Sequence, residues 1–484
     1  MATSREGLGV ADEQQWPVPS LNVDSAVDLF VERARSVAPG SSADDADAVV
    51  EICARLDGIP LAIELAASRM ASMSASEVRD RLDDRFRLLV RSRRGLERHH
   101  TLRHAVAWSY DLLDNAEKAL LARCSVFAGG FDLQSACAVA VSDESDDYAV
   151  LDLLDALVRK SLLVADRSSG RTRFSMLETI RQFAEEQLVA SGSADEARAA
   201  HARHFAGREA DVLALWDSPR QRDAYTWFTT ELANLRSAFG WAADQGDLDV
   251  AAAIATYAAW LGLWADNYEP TAWVEDLIES ACAVAHPRLA LLYVLASHCY
   301  NTGRIDDAVR YSDAGQKVIG NAIELPFGSE GLLGTAYINV GQQERWVEWC
   351  RSQIARGRDT HTITRACLVD ALVIAGCGEE AMAAADGLVD AAEITGNPFA
   401  LSHALTAEGL VFRDADPIRA LGALRRALVI AQDTGNRFIE SHSANALSAL
   451  ETEHGDPLTA LDYLVLAIRN NHDAGNTAMI RSPL

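Results

Sequence analysis

A spacing of about forty residues recurs near the end of this 484-residue chain and limits its fold more than any single motif does. Gly-Asn stands at 396–397, 435–436 and 475–476, and Asp-Pro at 416–417 and 456–457. The segments 378–397, 416–436 and 456–476 therefore align as copies of one helix. An earlier relative, opening the second helix of a helical hairpin, begins at Gly303-Arg-Ile-Asp-Asp-Ala-Val-Arg-Tyr311. A single helix pair cannot bury its own apolar face, so units of this period must stack on their neighbours. The expected architecture of residues 191–484 is a tetratricopeptide-like α-solenoid with degenerate units.

Upstream of the array apolar residues also recur at three- and four-residue steps, which predicts a mainly α chain. Three or four amphipathic helices are expected between Asp24 and about Leu89, after a Pro17-Val-Pro19 stretch that cannot be helix interior. At Leu56-Asp-Gly58-Ile-Pro60 the glycine can close one helix in the left-handed conformation and the proline can open the next. From Thr101 the pattern predicts helices over 102–113, 116–127, 133–141 and 148–161. Two short segments, 162–167 and 171–176, then flank Ser168-Ser-Gly170, a β-hairpin signal, and a further helix is expected over 177–190. Helices followed by a two-stranded wing are the layout of a winged helix.

Charge narrows the partners. Lys and Arg number 44 against 70 Asp and Glu, a net charge of −26, so the chain is not built to coat nucleic acid or anionic lipid. Only Lys118, Lys160 and Lys317 occur, none after a glycine, so these residues contain no Gly-Lys-Ser/Thr phosphate loop. The eight cysteines form no Cys-x-x-Cys pair and read as buried thiols of a reducing compartment. The N-terminus has no secretory apolar region, and the longest apolar stretch, 250–264, is shorter than the roughly 20 residues of a membrane span. A cytoplasmic protein is expected.

Other candidate chemistries have simpler readings. Gly376-Cys-Gly378-Glu-Glu-Ala381 matches a dinucleotide fingerprint, yet Glu379 and Glu380 would stand where a pyrophosphate binds, and the same positions align with the repeat turns. His99, His100 and His104 could share a helical face, but no acidic ligand stands in register, and Arg98 and Arg103 would repel a cation. The helix over 148–161, third of the winged helix, carries Asp152 and Asp155 against Arg159 and Lys160, with acidic 143–147 before it. Helices that read the major groove lead with Arg, Lys, Asn or Gln, so a protein-facing role is expected and direct DNA binding is not. No serine-hydrolase or zinc-protease motif occurs. Trp216, Trp227, Trp241, Trp260, Trp264 and Trp273 could line a ligand pocket, but large core residues are the commoner use of such side chains.

Seven motifs in order carry a resemblance. They are Gly58-Ile-Pro-Leu-Ala-Ile-Glu-Leu65, Arg81-Leu-x-x-Arg-Phe86, Thr101-Leu-Arg103, Trp108-Ser-Tyr-Asp-Leu-Leu113, Ser125-Val-Phe-x-Gly-Gly-Phe131, Lys160-Ser-Leu162 and Leu177-Glu-Thr-Ile-Arg181. Together the series resembles the NB-ARC-type signal-transduction ATPases (STAND proteins) of actinobacterial transcriptional regulators, the AfsR-like and large LuxR-like proteins. The resemblance implies a remnant of the nucleotide-binding domain over 1–22, a helical domain over 23–95, a winged helix over 96–190 and repeats over 191–484. It makes Thr3-Ser-Arg-Glu6 the sensor strand. A vestigial nucleotide site would then comprise Arg5 with Gly58, Pro60 and Leu61, where the family has Gly-Leu-Pro-Leu. At Ser175-Met-Leu-Glu178, Leu177 replaces a histidine that contacts nucleotide in relatives outside this subgroup. Lacking the phosphate loop and a C-terminal helix-turn-helix, the chain is expected to be a truncated regulator and not an enzyme. No cofactor is expected, with ADP or ATP at the vestigial site as the lesser alternative, and the chain would act through protein partners of its repeats. The alternatives are a regulator that touches DNA through its winged helix, or a subunit that completes a nucleotide site with a separate phosphate-loop polypeptide.

Overall fold

The computed structural model describes residues 20–37, 45–82, 101–140, 147–168, 170–319 and 325–476, with the backbone alone at 61 and 101–105. The protein is mainly α. Among the described residues the one sheet is a two-stranded hairpin. One compact unit ends at His201 and a second begins at Ala202.

In the first unit, α1 (Val23–Val37), α2 (Ala46–Arg55), α3 (Pro60–Ser68) and α4 (Ala75–Asp80) enclose a core around Phe30, Ile52, Leu56, Ile63 and Val78. The Asp57-Gly58 turn takes positive φ at both residues, and Pro60 opens α3. A capping box of Ser74 and Glu77 starts α4. The chain continues through α5 (Thr101–Asp111), α6 (Asn115–Cys124), α7 (Leu133–Val139) and α8 (Asp147–Arg159). The hairpin of β1 (Val164–Asp166) and β2 (Arg173–Ser175) follows, then α9 (Glu178–Ala190). The strands are antiparallel with Ala165 opposite Phe174, and Phe131 exchanges two backbone hydrogen bonds with Phe174 at 2.8 and 2.7 Å. This is a winged helix.

Its buried charges are matched. Glu117, 4% exposed, caps α6 through the Asp114 amide and accepts from Lys160 Nζ at 2.6 and 2.7 Å. Arg181 pairs with Glu178 and Glu185 and donates to the Ser125 carbonyl. Arg123 donates to the Val139 carbonyl and to Glu196.

α10 (Ala194–Gly207) carries the chain across the boundary. In the second unit α11 (Glu209–Trp216) leads into the antiparallel helices α12 (Gln221–Asp244), α13 (Leu248–Trp264) and α14 (Glu269–Ala283). α15 (Leu289–Ala296) extends as a 3-10 turn to Thr302 and is followed by α16 (Ile305–Ile319). A 3-10 segment, Pro326–Val340, precedes α17 (Gln343–Ile354), α18 (Ile363–Ile374), α19 (Gly378–Ala385), α20 (Leu388–Thr395), α21 (Pro398–Val411), α22 (Pro417–Thr434), α23 (Arg437–His454) and α24 (Pro457–Ala474). Each helix packs on the next, as a solenoid requires. No described helix is long and apolar enough to cross a membrane.

Unlike an open solenoid, this one meets its own beginning. α13 contacts α23, and α12 contacts α22. The repeated Gly-Asn dipeptides hold the contact. Each glycine ends its helix at positive φ, and Asn397 and Asn436 cap the next helix through Oδ1, on the Ala400 and Ile439 amides. The Nδ2 groups donate backwards: Asn397 to Asp217 at 2.8 Å, Asn436 to the Tyr225 hydroxyl at 3.3 Å, and Asn476 to the Tyr268 hydroxyl at 2.8 Å.

One expectation fails. The segment 378–397 is not a single helix: α19 stops at Ala385, Asp386 is extended, and Gly387 turns at φ +68° before α20. Its two later copies, α22 and α24, run unbroken for 18 residues each. Glycine in a helix interior is entropically costly, and here it takes the left-handed turn instead.

Candidate functional site

The sequence directs attention first to the helical junction. Gly58 turns at φ +63°, and a Cβ there would stand 2.2 Å from the Leu21 carbonyl oxygen. Leu21 N donates to Gly58 O at 3.0 Å, so Leu21 lies against the junction. Pro60 is the first residue of α3, where its missing N–H is harmless. Arg5, the Leu61 side chain, His99, His100 and the His104 side chain lie outside the described residues. Gly376 and Gly378 form the turn into α19.

The winged helix offers α8. Its exposed positions include Tyr148, Leu151, Asp152, Asp155 and Arg159, and Arg159 is ion-paired to Asp155 four residues earlier. Lys160 is committed to Glu117. Positive side chains are instead exposed on the hairpin, at Arg167 and Arg171.

The array holds the more developed site, built from helices that the closure brings together. Trp216, fully buried, meets Trp260, Phe327 and Phe399 with ring centroids 4.7–5.6 Å apart. Trp264 continues this core to Phe399 at 4.2 Å and Phe438 at 5.5 Å. Phe327 sits at φ +61°, costly for a bulky residue and sustained here by its packing on three aromatic neighbours. Trp216, Trp260, Trp264 and Trp273 are thus core residues, whereas Trp227 and Trp241 are only partly buried, and the core is hollow on one side.

Beyond Trp264 lies a cavity of about 430 Å³. Its wall runs from Trp264 on α13 through His298 and Tyr300, then Leu332, Thr335, Ile338 and Asn339 of the 3-10 segment, to Trp346 on α17. Cys367, Asp370 and Ile374 of α18, His403 of α21, and Phe438 and His442 of α23 complete it. Gly334 lets the Trp346 ring approach, since a Cβ would stand 2.1 Å from it, and Trp346 Nε1 donates to Gly331 O at 2.8 Å.

Polar groups in this wall are only half satisfied. His403 Nε2 and Asp370 Oδ2 are 3.1 Å apart, with each residue 7% exposed, while Asp370 Oδ1 and His403 Nδ1 have no partner. Trp264 Nε1 and Asn339 Nδ2 are likewise buried and unpartnered. Buried polar atoms are rarely left so, and four of them on residues that line one cavity make it the candidate binding site. Burial pushes His298 down to about 4 and holds His442 below its ordinary value, so both rings are neutral near pH 7.

Asp370, His403 and His442 carry no motif and escape a first reading. A signal was present: Phe399-x-x-x-His403 and Phe438-x-x-x-His442 stand 39 residues apart, the repeat period itself.

Comparison with known proteins agrees with the winged helix. Residues 113–189 match the winged helix-turn-helix domain family. The chain is 35% identical over 479 residues to a "Putative HTH-type transcriptional regulator" of Mycobacterium bovis, covering 96% of this chain and 50% of that protein. The Mycobacterium tuberculosis counterpart gives the same values. An uncharacterized protein of Mycobacterium bovis is 44% identical over 210 residues, 42% of this chain and 53% of its own. The chain thus spans about half the length of the curated relatives it matches. Among solved structures, a signal-transduction ATPase with numerous domains and a tetratricopeptide repeat sensor, from Pyrococcus horikoshii, aligns with 96% of this chain and 62% of its own. That alignment has 14% identity and a TM-score of 0.44.

Proposed function

We propose that the chain is the signal-receiving part of a cytoplasmic transcriptional regulator. In this reading the helical repeats take up a ligand and pass the change on through protein–protein contacts, without ATP hydrolysis by these residues. The division into a nucleotide-domain remnant (1–22), a helical domain (23–95), a winged helix (96–190) and repeats (191–484) belongs to the same proposal, as does the reading of Arg5, Gly58, Pro60 and Leu61 as a vestigial site. The observation that carries it is the closure of the array around a cavity with unmet buried polar atoms, which a plain scaffold would have filled. Binding there would bias one arrangement of the chain over another, a population shift instead of chemistry.

The test is turnover and thermal unfolding of the purified chain with millimolar ADP or ATP and Mg²⁺. A ligand at a hundred times its Kd would stabilise by about 2.7 kcal/mol, so the expected absence of a shift is readable. Phosphate release above a blank would overturn the non-catalytic reading.

A second reading has one observation in its favour: the winged helix exposes Arg167 and Arg171 on its hairpin. Salt-dependent binding of duplex DNA by the whole chain would select it, whereas the acidic face of α8 favours no binding.

A further inference from the structure

We propose that the cavity of the array is a receptor site for an amphipathic organic cation: a protonated amine, held by Asp370 and His403, on an apolar body held by the aromatic wall. The inference rests on the reading of the array as a signal receiver and names the chemistry of the signal.

Hydrogen-bond capacity sets the polar end. A carboxylate only accepts, so His403 Nε2 donates to Asp370 Oδ2 across their 3.1 Å contact. In the neutral ring Nδ1 then carries a lone pair. Asp370 Oδ1 and His403 Nδ1, both unpartnered on residues 93% buried, are two acceptors on residues of α18 and α21 that line one cavity. A ligand edge that meets both must donate, which an ammonium group does with its several N–H bonds.

Charge points the same way. Asp370 is the only carboxylate among the cavity-lining residues, and neither Lys nor Arg lines it. His298 and His442 stay neutral through burial. A carboxylate or phosphate ligand would find no counter-charge there, and the net charge of −26 would repel it during approach. The faces of Trp264, Tyr300, Trp346 and Phe438 attract a cation and pack on an apolar body. Trp264 Nε1 and Asn339 Nδ2, on other residues of the same wall, are donors without partners, so a carbonyl or hydroxyl oxygen on that body would be met as well. About 430 Å³ lies within the usual range for small-molecule sites. The described residues hold no group of three His, Cys, Asp or Glu spaced for a metal ion.

The experiment titrates the full chain with phenethylamine, tryptamine and 4-phenylbenzylamine, and with the alcohol and carboxylate analogue of each, reading calorimetric affinity and melting temperature. The expected result is binding by at least one amine, at least tenfold tighter than its analogues. Asp370→Asn should weaken that binding at least tenfold while leaving the unliganded melting temperature nearly unchanged. Ile374→Trp, at a half-exposed position of the wall, should block binding without touching the buried pair. Equal or tighter binding of an alcohol or carboxylate, blocked by Ile374→Trp, would overturn the cation and keep the receptor. No binding by any probe would overturn both.

Discussion

In the winged helix the buried Glu117 carboxylate is met by a lysine and a backbone amide, whereas in the array the buried Asp370 carboxylate keeps one oxygen unmet. The two regions bury similar groups to different ends. Matched charges fix a single arrangement and make its loss costly. Half-matched groups around a cavity sacrifice stability and leave capacity for something outside the chain, the usual relation between stability and binding. On the function proposed above, it is the array that answers to a small molecule, through the unmet groups of its cavity.

Four measurements would break or sharpen that contrast. The largest effect is expected in the winged helix: Glu117→Ala strands Lys160 and removes a cap, and should cost about 3 kcal/mol, read as a lower urea midpoint for the first unit. A loss well under 1 kcal/mol would remove the contrast. Next comes the clasp of the array. Asn436→Ala deletes the cap on Ile439 and the bond to Tyr225, and should cost about 2 kcal/mol, followed by native-state hydrogen exchange in α23.

Third is a pH effect of definite sign. Burial raises Asp266 from 3.8 to about 6, and Oδ2 has no partner. A carboxyl group raised in the fold stabilises while protonated, below its unfolded value, and that stability is lost as pH climbs through about 6. Asp266→Asn should therefore stabilise by about 1–2 kcal/mol at pH 7, and by almost nothing at pH 4, in parallel denaturation curves. The smallest effect is the most diagnostic. Asp370→Asn, which keeps an acceptor for His403, should change stability by less than about 1 kcal/mol, so that a large loss in thermal unfolding would recast Asp370 as a structural group.

Much of the fold could be read from local signals. Gly58 and Pro60 mark a helix junction because each has one dominant backbone use, and Ser168-Ser-Gly170 marks the hairpin. The break at Gly387 was signalled by Asp386-Gly387 but overridden by the repeat alignment, which treats unlike copies as equal. The cavity is a different case. Trp264 and His442 lie 178 residues apart, and they face one space only because the array returns to α13. Periodicity records which faces are apolar, not how far a superhelix turns. The Phe-x-x-x-His pair and Trp264 were the local traces of the site.

The Gly-Asn clasps have a further consequence. Repeat arrays ordinarily gain or lose whole units by duplication and deletion, because each unit needs only its neighbours. Here Asn397, Asn436 and Asn476 reach Asp217, Tyr225 and Tyr268 in the same order along the chain. Excising one forty-residue unit would move every later asparagine out of step with its partner on the opposite arm. The spacing between these three copies is therefore set by the opposite arm as well as by their neighbours, much as the holes of a strap are set by the pins that enter them.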